Sequence, residues 1–331
     1  DRYGCPYASP TGFATDPVYL SAEDLLEEGR ITAAQLPPSK KGPVEWQQVR
    51  RMRAPFLKAA ADALAEDLDR DAYLKAQPWA LDWARFAVHA ERHSTHWWTW
   101  DTAPPDADDP DVIRQIALQW GLDRQWDRLR QLARAHQVQL WGDLPFFVGG
   151  GSADVWARPD LFDLHEDGRP RTITGVPPDL FSATGQRWGH PHFRRATHQA
   201  EGWSWLLARA RRALAQVDVL RLDHFRGLHE VWEVPAEDDT AVNGRWIPGP
   251  GRDFLDPLLA EAPAERWVAE DLGVITDEVR ALRDRYGLRG MAILQFAFGE
   301  GADAPFLPHN QRGDQVVYTG THDNHTLVGW L

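Results

Sequence analysis

The sequence predicts an α/β protein organised around a parallel sheet, and three observations carry that expectation. Beyond residue 138, short apolar runs alternate with helical segments. The runs are "VQLWGDLPFFV", "VDVLRLDHF", "ERWVAEDLG", "GMAILQFAF" and "QVVYTGTHDN", and the helical segments "AEGWSWLLARARRALAQ" and "TDEVRALRDRYG". Such alternation requires right-handed crossovers and therefore parallel strands. The runs are continuously apolar, as strands buried on both faces are. With 331 residues, 43% of them hydrophobic, the chain can build one large α/β barrel or two medium domains.

Each element has a local justification. Residues 1–43 are broken by Pro, Gly and Ser into short, turn-rich pieces. From "PVEWQQVRRMRAPFLKAAADALAEDL" through "QPWALDWARFAVHAERHSTHWWTW" apolar residues recur at three-to-four spacing with few breakers, which predicts helices. "TAPPDADDPD" interrupts that pattern and "VIRQIALQWGLDRQWDRLRQLARAHQ" resumes it. Residues 149–200 are rich in Gly, Pro and Asp with little periodicity, so an irregular stretch is expected there. There is no internal repeat and no low-complexity tract.

Composition narrows the function classes. A formal charge of −13 argues against nucleic acid and anionic membrane as partners. No run of about 18 apolar residues exists to span a bilayer. Cys5 is the only cysteine, so no intrachain disulfide forms, which fits a reducing, cytoplasmic setting. "DRYGCPYASP" does not read as a natural start and "THDNHTLVGWL" stops directly after a motif, so the sequence reads as an internal portion of a longer protein. Seventeen Trp stand against 6 Tyr. Core packing is the expected fate of any single one, but the excess also suits sugar rings, whose C–H faces stack on flat aromatic surfaces.

Four strand runs end in acids: Asp143, Asp223, Glu270 with Asp271, and Asp323. In a parallel barrel the strand C-termini share one face, so acids about 50 residues apart converge there. Helix capping is the plain alternative for each acid taken alone. Converging carboxylates serve either to bind Mg²⁺ or Ca²⁺ or to cleave a glycosidic bond with one nucleophile and one acid. The flanking residues favour the second. Arg221 lies two residues before Asp223, on the same strand face, where it would keep that carboxylate ionised. Glu270 follows the apolar "WVA", a setting that raises a carboxyl pKa.

"LRLDHFRG", "VAEDLGVIT" and "YTGTHDN" resemble the signature blocks of the 4-α-glucanotransferases, or amylomaltases, of the α-amylase clan. "GDLPFFV", "SADVWARPDLF", "GVPPDLFSATGQRWG" and "LQFAF…PFLPHN" extend the likeness across essentially the whole chain in one order. The resemblance implies a (β/α)₈ TIM barrel with inserted, mainly helical subdomains, lacking here its first strand and last part. On that reading, 1–43 is a barrel and active-site loop segment, 44–122 a helical insertion and 123–148 barrel. Residues 149–200 form a loop-rich insertion covering the glucan groove, and 201–331 the barrel core with the catalytic strands. It further implies retaining transglycosylation between α-1,4-glucans or maltooligosaccharides as donor and acceptor. Asp223 matches the nucleophile, Glu270 the general acid/base and Asp323 the aspartate that stabilises the transition state. Arg221 matches the arginine supporting the nucleophile, His322 a sugar-binding histidine, and Asp143 and Tyr7 further residues around the reacting sugar. Phe181 and Trp188, in "GVPPDLFSATGQRWG", match aromatic contacts of a loop over the donor groove. No metal and no cofactor is expected. The sequence departs from the family pattern at Asp16, Gly151, Leu180, His190 and His325, which bears on acceptor contacts and product size.

Other features have plainer readings. His89 and His93 form an i, i+4 pair with His96 nearby, but "HAERHSTHWW" lacks the HExxH order of zinc sites, and packed or surface histidines are expected. "GGG" at 149–151 has no following GK[ST], so it reads as a hinge and not a phosphate loop. "ARARRAL" reads as a solvated helix face. An α-amylase-like hydrolase, a glucan-binding protein without catalysis and a metal-dependent enzyme are the competing functions.

Overall fold

The structure, a computed structural model, describes residues 6–39, 41–179, 182–298 and 301–331. The chain is a mixed α/β protein that divides into two compact units. One comprises 1–138, 147–173 and 189–194, and the other 139–146, 174–188 and 195–331.

The first unit is mainly helical. Its longest helix, Pro110–Ala135, starts where Asp109 accepts the Asp111 N–H at 2.9 Å and Pro110 occupies the first turn, where an N–H would have no partner. Helices Trp46–Ala65 and Trp79–Arg92 fall within the stretches whose periodicity predicts them. Phe56, Ala60, Ala61 and Leu64 pack with Ala117, Leu118, Leu122, Leu20 and Leu25 in one buried cluster. Gly121 faces this cluster: a Cβ there would lie 2.6 Å from Leu64 Cδ1, so a larger residue fits only if the Leu64 side chain shifts.

The second unit holds the expected parallel ladder. Strands β1 (Trp141–Leu144) and β2 (Thr172–Val176) are followed by β3 (Gln186–Pro191), β4 (Val219–Leu222) and β5 (Glu230–Pro235). Strands β6 (Arg245–Pro248), β7 (Trp267–Ala269), β8 (Gly290–Ile293) and β9 (Gln315–Tyr318) complete the order. β1, β4 and β7 pair in parallel, with Asp143 opposite Arg221 and Arg221 opposite Val268. A parallel bridge from Val268 to Arg289 leads on towards β8, which pairs in parallel with β9. Helices Ser204–Gln216 and Asp277–Arg285 precede β4 and β8 as crossovers. Val219, Val268, Met291 and Ile293 form the buried seam between these strands.

The strands are shorter than the apolar runs, for local reasons. β1 stops before Pro145, which has no N–H to donate. β4 stops because His224 adopts a left-handed backbone (φ 49°, ψ 50°) and Phe225–Leu228 form a 3₁₀ turn. Between β8 and β9 the expected alternation fails: among the described residues only a 3₁₀ turn, Leu294–Phe296, intervenes. Gly301, Pro305 and Pro308 make that connection a poor helix. The stretch 149–200 is more ordered than its composition suggests. It contains helices Ala153–Ala157 and Arg195–Ala200 as well as β2 and β3, and these strands join a second sheet in the order β3-β2-β5-β6.

Candidate active site

The parallel register brings three of the charged residues together. Asp143 on β1 and Arg221 on β4 are direct partners, and Asp223 follows Arg221 on the same face. Arg221 donates through Nη1 to Asp143 Oδ2 at 2.7 Å and to Asp223 Oδ1 at 3.0 Å. Burial opposes the guanidinium's charge, but the flanking carboxylates outweigh it and hold the group protonated.

Asp223 does not behave quite as its sequence neighbourhood suggests. Burial raises its pKa to about 6; Arg221 pulls the value down, while the charges of Asp143 and Asp323 push it up. The guanidinium therefore limits the shift without cancelling it, and Asp223 is ionised at neutral pH by a smaller margin than Arg221 alone would give.

Glu270 stands just past β7, whose three residues are fully buried. Burial and then the Asp223 charge raise its pKa to about 8, against the opposing influence of Arg221 and two backbone N–H donors. Those donors are the N–H of Leu272, 3.0 Å from Oε1, and the N–H of His224, 2.8 Å from Oε2. Two adjacent carboxyls thus differ by about two units around pH 7: one ionised, the other protonated.

Asp323 and His322 follow β9 in a turn closed by the Thr321 N–H on Asn324 Oδ1 at 2.8 Å. His322 Nε2 lies 3.3 Å from Asp323 Oδ1. Both side chains are largely exposed, and Asp323 reaches Asp223 through its charge. Trp188 packs edge-on against the His224 ring with centroids 4.7 Å apart. Tyr7 stands in a 3₁₀ turn, Pro6–Ala8, of the other unit. Phe181 and Leu180 lie outside the described residues.

Asp271 belongs to the architecture and not to this cluster. Its Oδ1 accepts the Met291 N–H at 2.8 Å, and its other oxygen pairs with the buried Arg283 guanidinium. This pair clamps β8 beside β7, and Gly290 leaves room for it, since a Cβ there would meet Asp271 Oδ2 at 2.6 Å. Adjacent residues of an extended chain face opposite ways, which could have separated Asp271 from Glu270 at the outset. The N–H donors of His224 and Leu272 left no side-chain signal to find.

The other singled-out features have structural explanations. His89 and His93 both reach Thr102 Oγ1, at 3.0 and 3.1 Å, and His96 stacks on Trp98 at 4.4 Å. Among the described residues no group of three or more His, Cys, Asp and Glu is arranged to hold a metal ion. Asp16 caps the Pro17–Tyr19 turn and pairs with Arg50 at 2.6 Å. Gly151 opens towards His96, His190 is buried against Phe147, and the His325 carbonyl accepts from Gln295. Trp203, Trp205 and Trp267 are core residues, whereas Trp46 and Trp141 are exposed. No described helix is long and apolar enough to cross a membrane.

Comparison with known proteins places the chain in a family. A family model described as 4-alpha-glucanotransferase matches residues 2–331. The chain is 39% identical to the 4-alpha-glucanotransferase of Thermus thermophilus, over 98% of this chain and 69% of that protein. It is 38% identical to the chloroplastic/amyloplastic 4-alpha-glucanotransferase DPE1 of Arabidopsis thaliana, over 100% of this chain and 61% of the relative. The chain thus spans between 61% and 69% of the length of these two proteins. Among solved structures, the amylomaltase from Streptococcus agalactiae in complex with acarbose superposes with a TM-score of 0.90 at 28% identity, covering 98% of this chain and 70% of that one. Matched by the family model over almost all of its sequence, the chain belongs to the 4-alpha-glucanotransferase family.

Proposed function

We propose that this chain transfers α-1,4-glucan segments between maltooligosaccharides with retention of configuration, using Asp223 and Glu270. The observation that carries the reading is the pairing of a carboxyl held protonated near neutral pH, Glu270, with a neighbouring carboxylate, Asp223, held ionised beside Arg221. A retaining glycosidase needs that division of labour.

In the first half-reaction the Asp223 carboxylate attacks the anomeric carbon. The bond from that carbon to the glycosidic oxygen breaks, and Glu270 gives its proton to the departing oxygen. The donor glucan is then an ester of Asp223. In the second half-reaction Glu270, now a carboxylate, takes the proton of an acceptor hydroxyl, whose oxygen attacks the same carbon and releases Asp223. Two inversions give net retention. Arg221 offsets the charge that returns to Asp223, and Asp143 keeps the guanidinium aligned. Asp323 stabilises the positive charge developing on the sugar ring, and His322 and Trp188 bind sugar. The parallel order β1-β4-β7, with β8 and β9 beyond it, supports a (β/α)₈ barrel. The single cysteine, at position 5, suits a cytoplasmic setting.

Maltotriose tests the reaction type: transfer yields glucose together with longer oligosaccharides, whereas release of only shorter sugars would make the chain a hydrolase. Preincubation with EDTA is expected to leave the rate unchanged, and a metal-reversible loss would replace this mechanism with a metal-assisted one. The pH profile tests the division of labour. Below about 6 Asp223 takes up a proton and stops attacking; above about 8 Glu270 loses the proton it must donate. Plotted against pH, kcat/KM is therefore expected to be bell-shaped with limbs near those values, belonging to the coupled pair. A flat profile between pH 5 and 9 would remove Glu270 from the role of acid.

A further inference from the structure

Asp223 continues the β4 ladder, donating its N–H to Leu144 O at 3.1 Å. At His224 the ladder ends abruptly. The residue takes a left-handed backbone, which among the described non-glycine residues only Gln137 and Trp203 share. This conformation costs roughly 1–2 kcal/mol for a residue with a Cβ and persists only where its surroundings enforce it. Strand alternation already points the His224 N–H at β7, where it meets Glu270 Oε2 at 2.8 Å. The left-handed turn then brings the next N–H to that same side, where an extended strand would aim it back at β1: the Phe225 N–H binds the Glu270 carbonyl at 3.1 Å. Glu270 is thus held by its main chain and by one side-chain oxygen from consecutive residues of one turn.

The His224 ring explains why the turn keeps its shape. Trp188 meets it edge-on, and Gly227 lies under it: a Cβ at 227 would sit 2.8 Å from His224 Cδ2 and 3.0 Å from Phe146 Cδ1. The Gly227 N–H closes the turn on the His224 carbonyl at 2.8 Å. Arg226, with its guanidinium 3.7 Å from the centre of the Trp246 ring and donating to Val274 O at 2.6 Å, ties the same turn to the loop after Glu270. Burial and then Arg226 push the imidazole down to about 3, so the ring stays neutral wherever the site works.

We propose that His224 is a positioning residue for the acid/base: its N–H holds Glu270 Oε2, its left-handed backbone turns the following N–H onto the Glu270 carbonyl, and its wedged ring holds that turn in place. The inference rests on the reading of Glu270 as acid/base. An acid whose oxygens are both fixed by N–H donors presents its proton in one direction. A misplacement of about 1 Å at such a group costs on the order of 10²-fold in rate.

The test compares His224→Gly, His224→Val and Glu270→Gln on maltotriose, whose departing sugar needs a proton, and on α-maltosyl fluoride, whose fluoride needs far less help. Rates are read for formation of the glycosyl-enzyme. Gly adopts the left-handed backbone freely, whereas Val, being β-branched, opposes it. His224→Val is expected to lose about 10²-fold on maltotriose, much less on the fluoride, with His224→Gly losing less on both. The basic limb of the maltotriose profile is expected to move upward in the Val variant, because a lost N–H removes support from the Glu270 carboxylate. The charged groups that act on Glu270, Asp223 and Arg221, are unchanged, as are Asp143 and Asp323, which act on Asp223. If the Val variant does not fold, His224→Ala, with weaker strain, gives the same comparison. Equal losses for Gly and Val, or equal losses on both donors with the basic limb unmoved, would reduce His224 to a packing residue. The Glu270→Gln control separates the two claims: if it shows no donor dependence, the acid/base reading itself fails, whatever His224 does.

Discussion

Asp223→Asn is expected to lower transfer from maltotriose by on the order of 10⁴-fold or more, the scale seen when a nucleophile is removed from a catalytic unit. The amide is nearly isosteric and its oxygen can still accept from Arg221, so the geometry is retained while the attacking electron pair is lost. A second consequence follows from the charge balance. The Asp223 carboxylate is the second cause, after burial, of the raised Glu270 pKa. With that charge gone, the Glu270 pKa is expected to fall towards its ordinary range, and the basic limb of any residual activity to move down. Measuring kcat/KM on maltotriose for both proteins between pH 5 and 9 checks both effects. Activity within tenfold of the wild type would remove Asp223 from the mechanism.

Glu270→Gln is expected to divide substrates by their leaving groups. Loss of the proton donor costs roughly 10²–10⁴-fold on maltotriose, and much less in the first step on α-maltosyl fluoride. The second step lacks its base on either donor, so the glycosyl-enzyme accumulates on the fluoride, whose first step stays fast. The same variant carries a stability signature. The Glu270 pKa is about 8 in the folded chain against an ordinary value of 4.5. Between those values the folded state holds more protons than the unfolded state, so stability falls as pH rises through the interval. Glu270's contribution is fully present below about 4.5 and lost above about 8. Gln cannot ionise, so the variant is expected to lose less stability over that range, by on the order of 5 kcal/mol. Its amide must place an NH₂ against one of the two backbone N–H donors, which makes it less stable than the wild type at low pH. Urea unfolding at pH 5 and pH 8.5 reads the crossover, and parallel pH dependences would show that Glu270 ionises as freely as an exposed glutamate.

Much of the site was legible because its information sits in side chains and their periodicity. Arg221 and Asp223 alternate onto one face, Asp143 ends the neighbouring apolar run, and register alone joins them. The apolar approach to Glu270 pointed to its raised pKa, which burial produces. Less legible was whatever depends on backbone conformation or on balance. Nothing in "LDHF" distinguishes a strand that continues from one that ends in a left-handed histidine. The pull of Arg221 on Asp223 was evident, but not that burial would outweigh it. Asp271 resembled a site acid until its partner, Arg283, 12 residues on, was located. The strands β2 and β3 lie in a Gly- and Pro-rich stretch whose composition reads as loop, because their pairing with β5 and β6 is non-local.

The most direct test of the account is to trap the glycosyl-enzyme. Glu270→Gln incubated with α-maltosyl fluoride, digested at low pH and examined by peptide mass spectrometry, is expected to carry one maltosyl ester, located on Asp223. An adduct on another residue, or fluoride turnover that leaves no adduct and gives product of inverted configuration, would contradict it.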